Sequence, residues 1–392
     1  MMRRLTVGVC PDFAEERWPS MDRVAAQLLA SIEADDRKLV AADVLRPAFA
    51  RRAMRWSARP IAYSIDRACN RFIDYPRYLR RVADGHDVYH VVDHSYAHLA
   101  WHLPPETTVV TCHDLDAFRA IFEHEQEPRS APFQAVTRYI LGGLRRAAAV
   151  ACDTAAIADE LVRRSIVRPH RVAVVHLGVG ELFTPTPDPD ADASLARLLP
   201  FGADAPIVLH VGTAVARKRL DVLFRAFAGL QGVAPAAQLV HAGQGLHAEH
   251  AELVRTLAVS DRVTVLSSLD DRHLAALYRR AVVVALPSDR EGFGLPVIEA
   301  LRSGTAVVAS DLAVLREVGG KMAHYCRAGD VSAWSAALAD VIQHPGTPAD
   351  RAARADWAGS FSWKRYAEQM TRIYAGIADR RMAQARCVQA HA

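Results

Sequence analysis

Two glutamates eight residues apart, Glu291 and Glu299, bracket the run Gly292-Phe293-Gly294-Leu295-Pro296. The apolar stretch before it, ending at Leu286, predicts a buried strand, and the residues after Pro296 predict a helix closed by Gly304. Gly292 and Gly294 permit close backbone approach at such a transition, and Pro296 suits a first helical turn. Unpaired N–H groups at a helix start form an anion site that a diphosphate fits. Glu299, in the first turn, is then placed to accept both hydroxyls of a ribose. Glu291, ahead of the loop, can reach hydroxyls of a sugar beyond the phosphates.

A second cluster lies about 75 residues upstream, in Val211-Gly212-Thr213-Ala214-Val215-Ala216-Arg217-Lys218-Arg219-Leu220. Adjacent cations before a helix are disfavoured by its dipole unless an anion sits there. Arginine grips phosphate oxygens with a planar fork, and lysine adds a compact charge against a departing diphosphate.

Together these segments resemble glycosyltransferase family 4, whose members carry E-x7-E in the setting EGFGLPxxEA and a G-T-x-x-x-R-K segment. The resemblance implies phosphate contacts from Arg217 and Lys218, with Gly212 and Thr213 in the approaching loop and Phe293, Gly294 and Leu295 beside the donor. It implies base contacts near Ser268 and Leu269, where the family usually has a glycine. The family's H-D-L segment matches His113-Asp114-Leu115, which implies that His113 faces the donor sugar. His113, Arg217, Lys218 and Glu291 are thus the expected catalytic set, and Asp93, His94 and Ser95, at the end of another strand, are possible acceptor contacts. One departure is the loop 11–20, which lacks the Gly-Gly pair common in the family.

The elements that must position these residues repeat twice. Short apolar runs alternate with helical periodicity, the pattern of a parallel sheet covered by helices. Strands are expected at 5–9, 38–45, 88–92, 107–112, 147–152 and 171–175, then at 207–211, 238–241, 263–266, 282–286 and 306–309. The fold class is α/β, and the resemblance implies the GT-B architecture, two Rossmann-like domains facing a central cleft. The expected domains are 1–182 for the acceptor and 205–360 for the nucleotide sugar. The Pro- and Asp-rich residues 183–204 read as a linker, and 361–392 as a C-terminal helix packing back toward the first domain.

Composition sets the bounds. The 392 residues are 51% hydrophobic and 23% charged, a globular balance. No run reaches the length of a membrane span, and nothing at the start reads as a secretion signal, so a cytoplasmic protein with reduced thiols is expected. Six scattered cysteines suggest neither disulfides nor zinc. The DxD-like groups at Asp114 and Asp188 and the four-residue spacing of His86, His90, His94, His98 and His102 are not read as metal sites, because a strand interrupts the histidine register. No metal or cofactor is expected. The overall charge is only +4, yet residues 46–81 hold ten arginines against Asp66 and Asp74, a local excess of eight. With Phe49, Trp56, Tyr63, Phe72, Tyr75 and Tyr78 interleaved, this stretch suits an anionic membrane surface better than nucleic acid.

The reading is a retaining, metal-independent hexosyltransferase acting on a glycan or lipid-linked glycan. GDP-mannose is the favoured donor, because the G-T-x-x-x-R-K variant resembles bacterial mannosyltransferases, and UDP-glucose remains open. The alternatives are a nucleotide-sugar 2-epimerase and a non-catalytic nucleotide-sugar binder.

Overall fold

The computed structural model describes residues 4–57, 59–82, 85–125 and 127–390. The parts of the expected segments that fall on residues 1–3, 58, 83–84, 126 and 391–392 lie outside them. The chain forms two compact units, one running to Leu177 and resuming at Trp363, the other spanning Gly178–Ser362.

The first unit holds strands β1 (Leu5–Cys10), β2 (Val40–Val44), β3 (Val88–Val91), β4 (Thr108–Cys112), β5 (Ala149–Cys152) and β6 (Val172–Val174). They make one parallel sheet in the order β2-β1-β3-β4-β5-β6. The second unit holds β7 (Ile207–Gly212), β8 (Gln238–Gly243), β9 (Val263–Leu266), β10 (Val283–Leu286), β11 (Ala306–Ser310) and β12 (Ala323–Cys326), ordered β12-β11-β10-β7-β8-β9. β12 was missing from the sequence expectation. As an edge strand, Ala-His-Tyr-Cys is only partly covered and lacks the apolar run that marks its neighbours. The central strands are buried on both faces and rich in Val and Ala, as a helix-covered parallel sheet requires, with Tyr89 and His90 on β3 and threonines on β4 among them.

Each sheet reverses its winding once, between β1 and β3 in the first and between β7 and β10 in the second. Ligands of open α/β sheets bind outside the carboxyl ends of the strands at such a reversal. The loops after β1, β3, β7 and β10 therefore lie where a ligand of such a sheet would bind.

One expectation about the connections is corrected. Residues 183–204 are not an open linker: Asp188 caps a helix, Pro189–Leu198, by accepting from the Ala191 amide. Proline is tolerated there because it occupies the first turn. Asp188 and Asp192 also pair with Arg272 and Arg279 at 2.8 and 2.7 Å, which ties the segment to the second unit. The region after residue 348 is two helices, Pro348–Gly359 and Trp363–Ala390. The first keeps Phe361, just beyond its end, against Phe293 in the second unit. The other buries Tyr366, Met370 and Tyr374 in the first unit, where Tyr374 Oη lies 2.8 Å from His90 Nδ1 on β3.

Glycine is demanded where helix Ala131–Arg146 crosses the 3-10 helix His94–His102 that follows β3. A Cβ on Gly143 would lie 1.8 Å from the Ala97 carbonyl oxygen, a backbone atom that cannot swing aside. Gly143→Ala is expected to destabilise the chain by about 2–3 kcal/mol. Gly202→Ala, whose Cβ would meet nothing within 4 Å, should stay within about 0.5 kcal/mol. Urea unfolding of the two variants checks the contrast.

Candidate functional site

In the second unit the loops after β7 and β10 meet. The Asp289 amide donates to the Arg217 carbonyl at 2.8 Å, so the two backbones are joined. Three consecutive cations of the first loop then reach the second. Lys218 Nζ donates to Glu291 Oε1 at 2.5 Å. Arg217 Nη1 lies 3.5 Å from Glu291 Oε2 and donates to the Arg290 carbonyl. Arg219, in the left-handed region at φ 48°, pairs with Asp289 and Asp221. Ser288 Oγ adds a 2.7 Å bond to Glu291 Oε1. Both members of the Lys218–Glu291 pair are nearly closed off, with side chains 10% and 7% exposed. Burial alone would raise the Glu291 pKa; Lys218, Arg217 and the hydrogen bonds from Lys218 and Ser288 outweigh it and leave the carboxyl below its ordinary range.

Around this pair the backbone is glycine-dependent. Gly294 starts helix Leu295–Arg302 at φ 91°. Gly243, after β8, has φ 151°, and a Cβ there would overlap the Gly212 carbonyl oxygen at 1.8 Å. Gly212, Thr213, Gly294 and Leu295 thus sit where the sequence put them, on two adjoining loops. Glu299 is buried one turn into the helix and accepts from Tyr278 Oη at 2.8 Å. Phe293 is buried against Phe361 at 6.0 Å between ring centroids, so its ring packs the loop down onto the unit. Ser268 and Leu269 follow β9, and Ser268 is exposed with φ 59°. That positive φ accounts for the glycine usual at this place, since glycine adopts it without strain.

Beneath the Gly212 loop lies a pair the sequence reading passed over. His210 and His241, register neighbours on β7 and β8, approach at 2.9 Å between Nδ1 atoms. His241 Nε2 must carry a proton, because it lies 2.8 Å from the Gln244 carbonyl. Its Nδ1 therefore accepts, and His210 is the Nδ1–H tautomer. Burial, then His241 and Lys218, hold His210 well below the usual histidine range, so it is neutral.

The first unit places titratable groups at the carboxyl ends of four strands: Asp12 after β1, Asp93 and His94 after β3, His113 and Asp114 after β4, and Asp153 after β5. Asp93 caps the following 3-10 helix, accepting from the Ser95 amide at 2.8 Å and its hydroxyl at 2.6 Å. His94 Nδ1 is 3.2 Å from Asp93, and its Nε2 is 3.3 Å from Asp114. Burial opposes its charge, but those carboxylates raise its pKa. Asp12 is buried, and among the described residues no donor faces either carboxyl oxygen. Burial and the neighbouring Asp93 hold its pKa well above the carboxylate range. Asp93 is driven the other way: burial opposes its charge, but His94, Asp12, His113 and Ser95 lower its pKa.

The expected role of His113 at a donor sugar is corrected. Its Nε2 lies 2.8 Å from the Val92 carbonyl and its Nδ1 2.7 Å from Asp153. Both acceptors require an N–H, so the ring is a buried imidazolium with neither nitrogen left for a sugar hydroxyl. The other histidines of the four-residue series also have structural partners: His86 with Asp43, His90 with Thr111, His98 with the Arg71 carbonyl and His102 with Tyr139. Asp12, Asp153, Ser288, Tyr278 and Arg219 were missed. Asp12 and Asp153 were within reach of the rule that flagged His113, had it been applied to the end of every strand; the others are tertiary partners.

The comparisons bear on what this arrangement is. Residues 33–180 match the profile of Glycosyltransferase Family 4, and residues 196–356 match Glycosyl transferases group 1. Across the two profiles the chain is a glycosyltransferase of the family-4 type. A D-inositol 3-phosphate glycosyltransferase of Mycobacteroides abscessus is 36% identical over 238 residues, 58% of this chain and 52% of that protein. One from Streptomyces scabiei is 33% identical over 59% of this chain and 54% of its own length. The matched region spans about half the length of these curated relatives. Among solved structures, sucrose-phosphate synthase of Thermosynechococcus elongatus aligns with TM-score 0.67 at 20% identity over 99% of this chain and 100% of its own. Anabaena HepE in complex with UDP and glucose aligns with TM-score 0.69 at 16% identity over 95% and 100%. These structures have the GT-B fold in common with this family-4 chain. No described helix is long and apolar enough to cross a membrane.

The His113 cation carries a stability signature. Burial opposes its charge, but Asp153, with its hydrogen bond, and Asp93 raise the pKa to about 9. A raised histidine pKa contributes stability that is complete below the unfolded value near 6.5 and is lost as pH climbs through about 9. Unfolding free energy should therefore fall by about 3 kcal/mol between pH 6.5 and 9.5 from this group. His113→Gln should be less stable at neutral pH and should lack that slope in denaturant titrations across the range.

Proposed function

We propose that the chain transfers a hexose, with mannose from GDP-mannose favoured, from a nucleoside diphosphate sugar to a glycan or lipid-linked glycan, with retention and without a metal. The observation that carries the proposal is the meeting of Arg217, Lys218 and Glu291 at the winding reversal of the second sheet, beside the glycine-started helix Leu295–Arg302. Arg217, Lys218 and the amides after Gly294 are suited to a diphosphate that gains charge as the bond from the anomeric carbon to the phosphate oxygen breaks. Glu291, ionised and adjacent, is suited to sugar hydroxyls, and Glu299 to a ribose. The acceptor oxygen forms the new bond to the anomeric carbon, and its proton goes to the departing phosphate. Acceptor contacts are proposed on the first unit at Asp93, His94 and Ser95, with a cytoplasmic location.

The first measurement is a thermal-shift series with GDP, UDP, ADP and dTDP, since a ligand bound by the folded chain raises its midpoint. Solved proteins of this fold include one complexed with UDP and glucose, so UDP-glucose is assayed beside GDP-mannose. Acceptors tested should include D-inositol 3-phosphate, for which the named relatives are called glycosyltransferases. Incubation with donor alone separates the epimerase reading: a 2-epimer marks an isomerase, and slow release of free sugar a transferase.

Two outcomes test the roles. Lys218→Ala should lower turnover by roughly 100-fold, and the Lys218→Ala/Glu291→Gln double variant, which leaves no unpaired buried carboxylate, should melt near the parent and remain inactive. Glu299→Gln should weaken binding of the bare nucleoside diphosphate, whereas Glu291→Gln should act mainly on turnover. Equal losses of nucleotide affinity in the two glutamate variants would contradict this division.

Metal independence is tested separately. Transfer should persist in EDTA; loss that manganese or magnesium restores would return Asp114 or Asp188 to consideration.

A further inference from the structure

The arginine-rich stretch divides into two groups in the folded chain. Arg71 is buried and Arg67 half-buried, both beside the buried Glu16, at 3.4 and 3.0 Å. The Arg71 guanidinium also lies 4.1 Å from the centre of the Tyr96 ring. Arg52 is paired with Asp74 through two bonds of 2.7 and 2.8 Å. Of the six aromatics interleaved with the arginines, Tyr75 is fully buried and only Trp56 is exposed. The even mixture of basic and aromatic surface suggested by the sequence is therefore not what the fold presents.

It presents a helix whose polar side faces inward. On Pro60–Cys69, Asp66 is buried and accepts from the Ala53 and Met54 amides at 2.8 and 2.9 Å. Asn70 accepts from the Ala50 amide and donates to its carbonyl. These bonds hold the loop carrying Arg51 and Arg55 against the helix. The opposite arc, Ile61, Ser64, Ile65 and Ala68 at helical spacing, is exposed and carries no charge. Ile61 is 64% and Ile65 50% exposed, and Trp56 on the attached loop is 87% exposed. Trp18 adjoins the same helix, since its indole donates to Glu16 Oε2, the oxygen that pairs with Arg67. Arg51, Arg55 and Arg59 are exposed around this face, and among the described residues none of them has a carboxylate partner.

We infer that this face, Trp56, Ile61 and Ile65 ringed by Arg51, Arg55 and Arg59, docks on the surface of an anionic lipid bilayer. An uncharged aliphatic and indole face enters the boundary between headgroups and acyl chains, while cations at its edge meet lipid phosphates. A single-stranded nucleic acid would also meet the charge, but it binds by stacking bases on aromatic rings. Ile61 and Ile65 offer no ring for a base to stack on, and exposed tryptophan beside them suits the headgroup boundary, which favours lipid.

The test uses the full chain sedimented with phosphatidylcholine vesicles, with and without phosphatidylglycerol, at low and high salt. Binding is expected only with phosphatidylglycerol and should weaken as salt rises. Arg51→Gln/Arg55→Gln/Arg59→Gln should lose about 100-fold in vesicle partitioning at low salt. Trp56→Ser/Ile61→Ser/Ile65→Ser should also lose binding, and both variants should keep the parent melting midpoint and nucleotide affinity. Parallel nucleotide binding keeps this inference separate from the transferase reading, since either can fail alone. Absence of binding to phosphatidylglycerol vesicles, equal binding to neutral vesicles, parent-like binding by both variants, or displacement from vesicles by a tighter-binding oligonucleotide would each overturn it.

Discussion

The site of the second unit depends on keeping Glu291 ionised where water barely reaches it. A lone carboxylate in that position would take up a proton rather than bear the desolvation cost. Lys218, Arg217 and Ser288 prevent this. They also set the geometry, because the cations sit on the loop after β7 and the carboxylate on the loop after β10. The charge pair therefore joins the two loops on either side of the winding reversal, helped by the backbone bond from Asp289 to Arg217. Removing one partner leaves the other buried and uncompensated, which is why a buried pair is more costly to break than it is stabilising to have.

The first unit meets the same constraint differently. Its strand ends carry more ionisable groups, and they compensate one another in place: His113 with Asp153, and His94 with Asp93 and Asp114, while burial and Asp93 push the Asp12 pKa up. Glu16 is paired with Arg67 and Arg71 and accepts a hydrogen bond from the Tyr96 hydroxyl. A histidine at a strand's carboxyl end is thus not by that placement a ligand contact. Whether its nitrogens are available is decided by what the neighbouring strands deliver beside it.

Arginine use in residues 46–81 follows from the same requirement. Charges that Glu16 and Asp74 need are consumed in the fold, and the remainder stay on the surface beside an apolar helix face. Local charge counted along the chain overstates what is displayed, and the exposed hydrophobic side of Pro60–Cys69 is invisible to the count.

The sequence by itself determined most of the fold. Eleven of the twelve strands were expected from their runs of apolar residues, most buried at the sheet centres and less so at the edges, and β12 escaped because an edge strand need not be apolar. It also determined the glycine and glutamate loop from Glu291 to Glu299 and the cations at Arg217 and Lys218, because a sharp strand-to-helix transition and backbone approach restrict residue type locally. Tertiary structure alone decided which partner each charge has. The direction of His113 depends on Asp153, forty residues away on the adjacent strand, and the pairing of Glu291 with Lys218 spans seventy-three residues. The raised pKa of Asp12 depends on its burial and on Asp93 at the end of the neighbouring strand. The helix within 183–204 was also hidden, because prolines and aspartates that argue for a linker are equally suited to a capped first turn, and Arg272 and Arg279 tip the balance from elsewhere in the chain. Electrostatic compensation acts through space between strands far apart in sequence, so it leaves no local pattern for a reading of residue order to find.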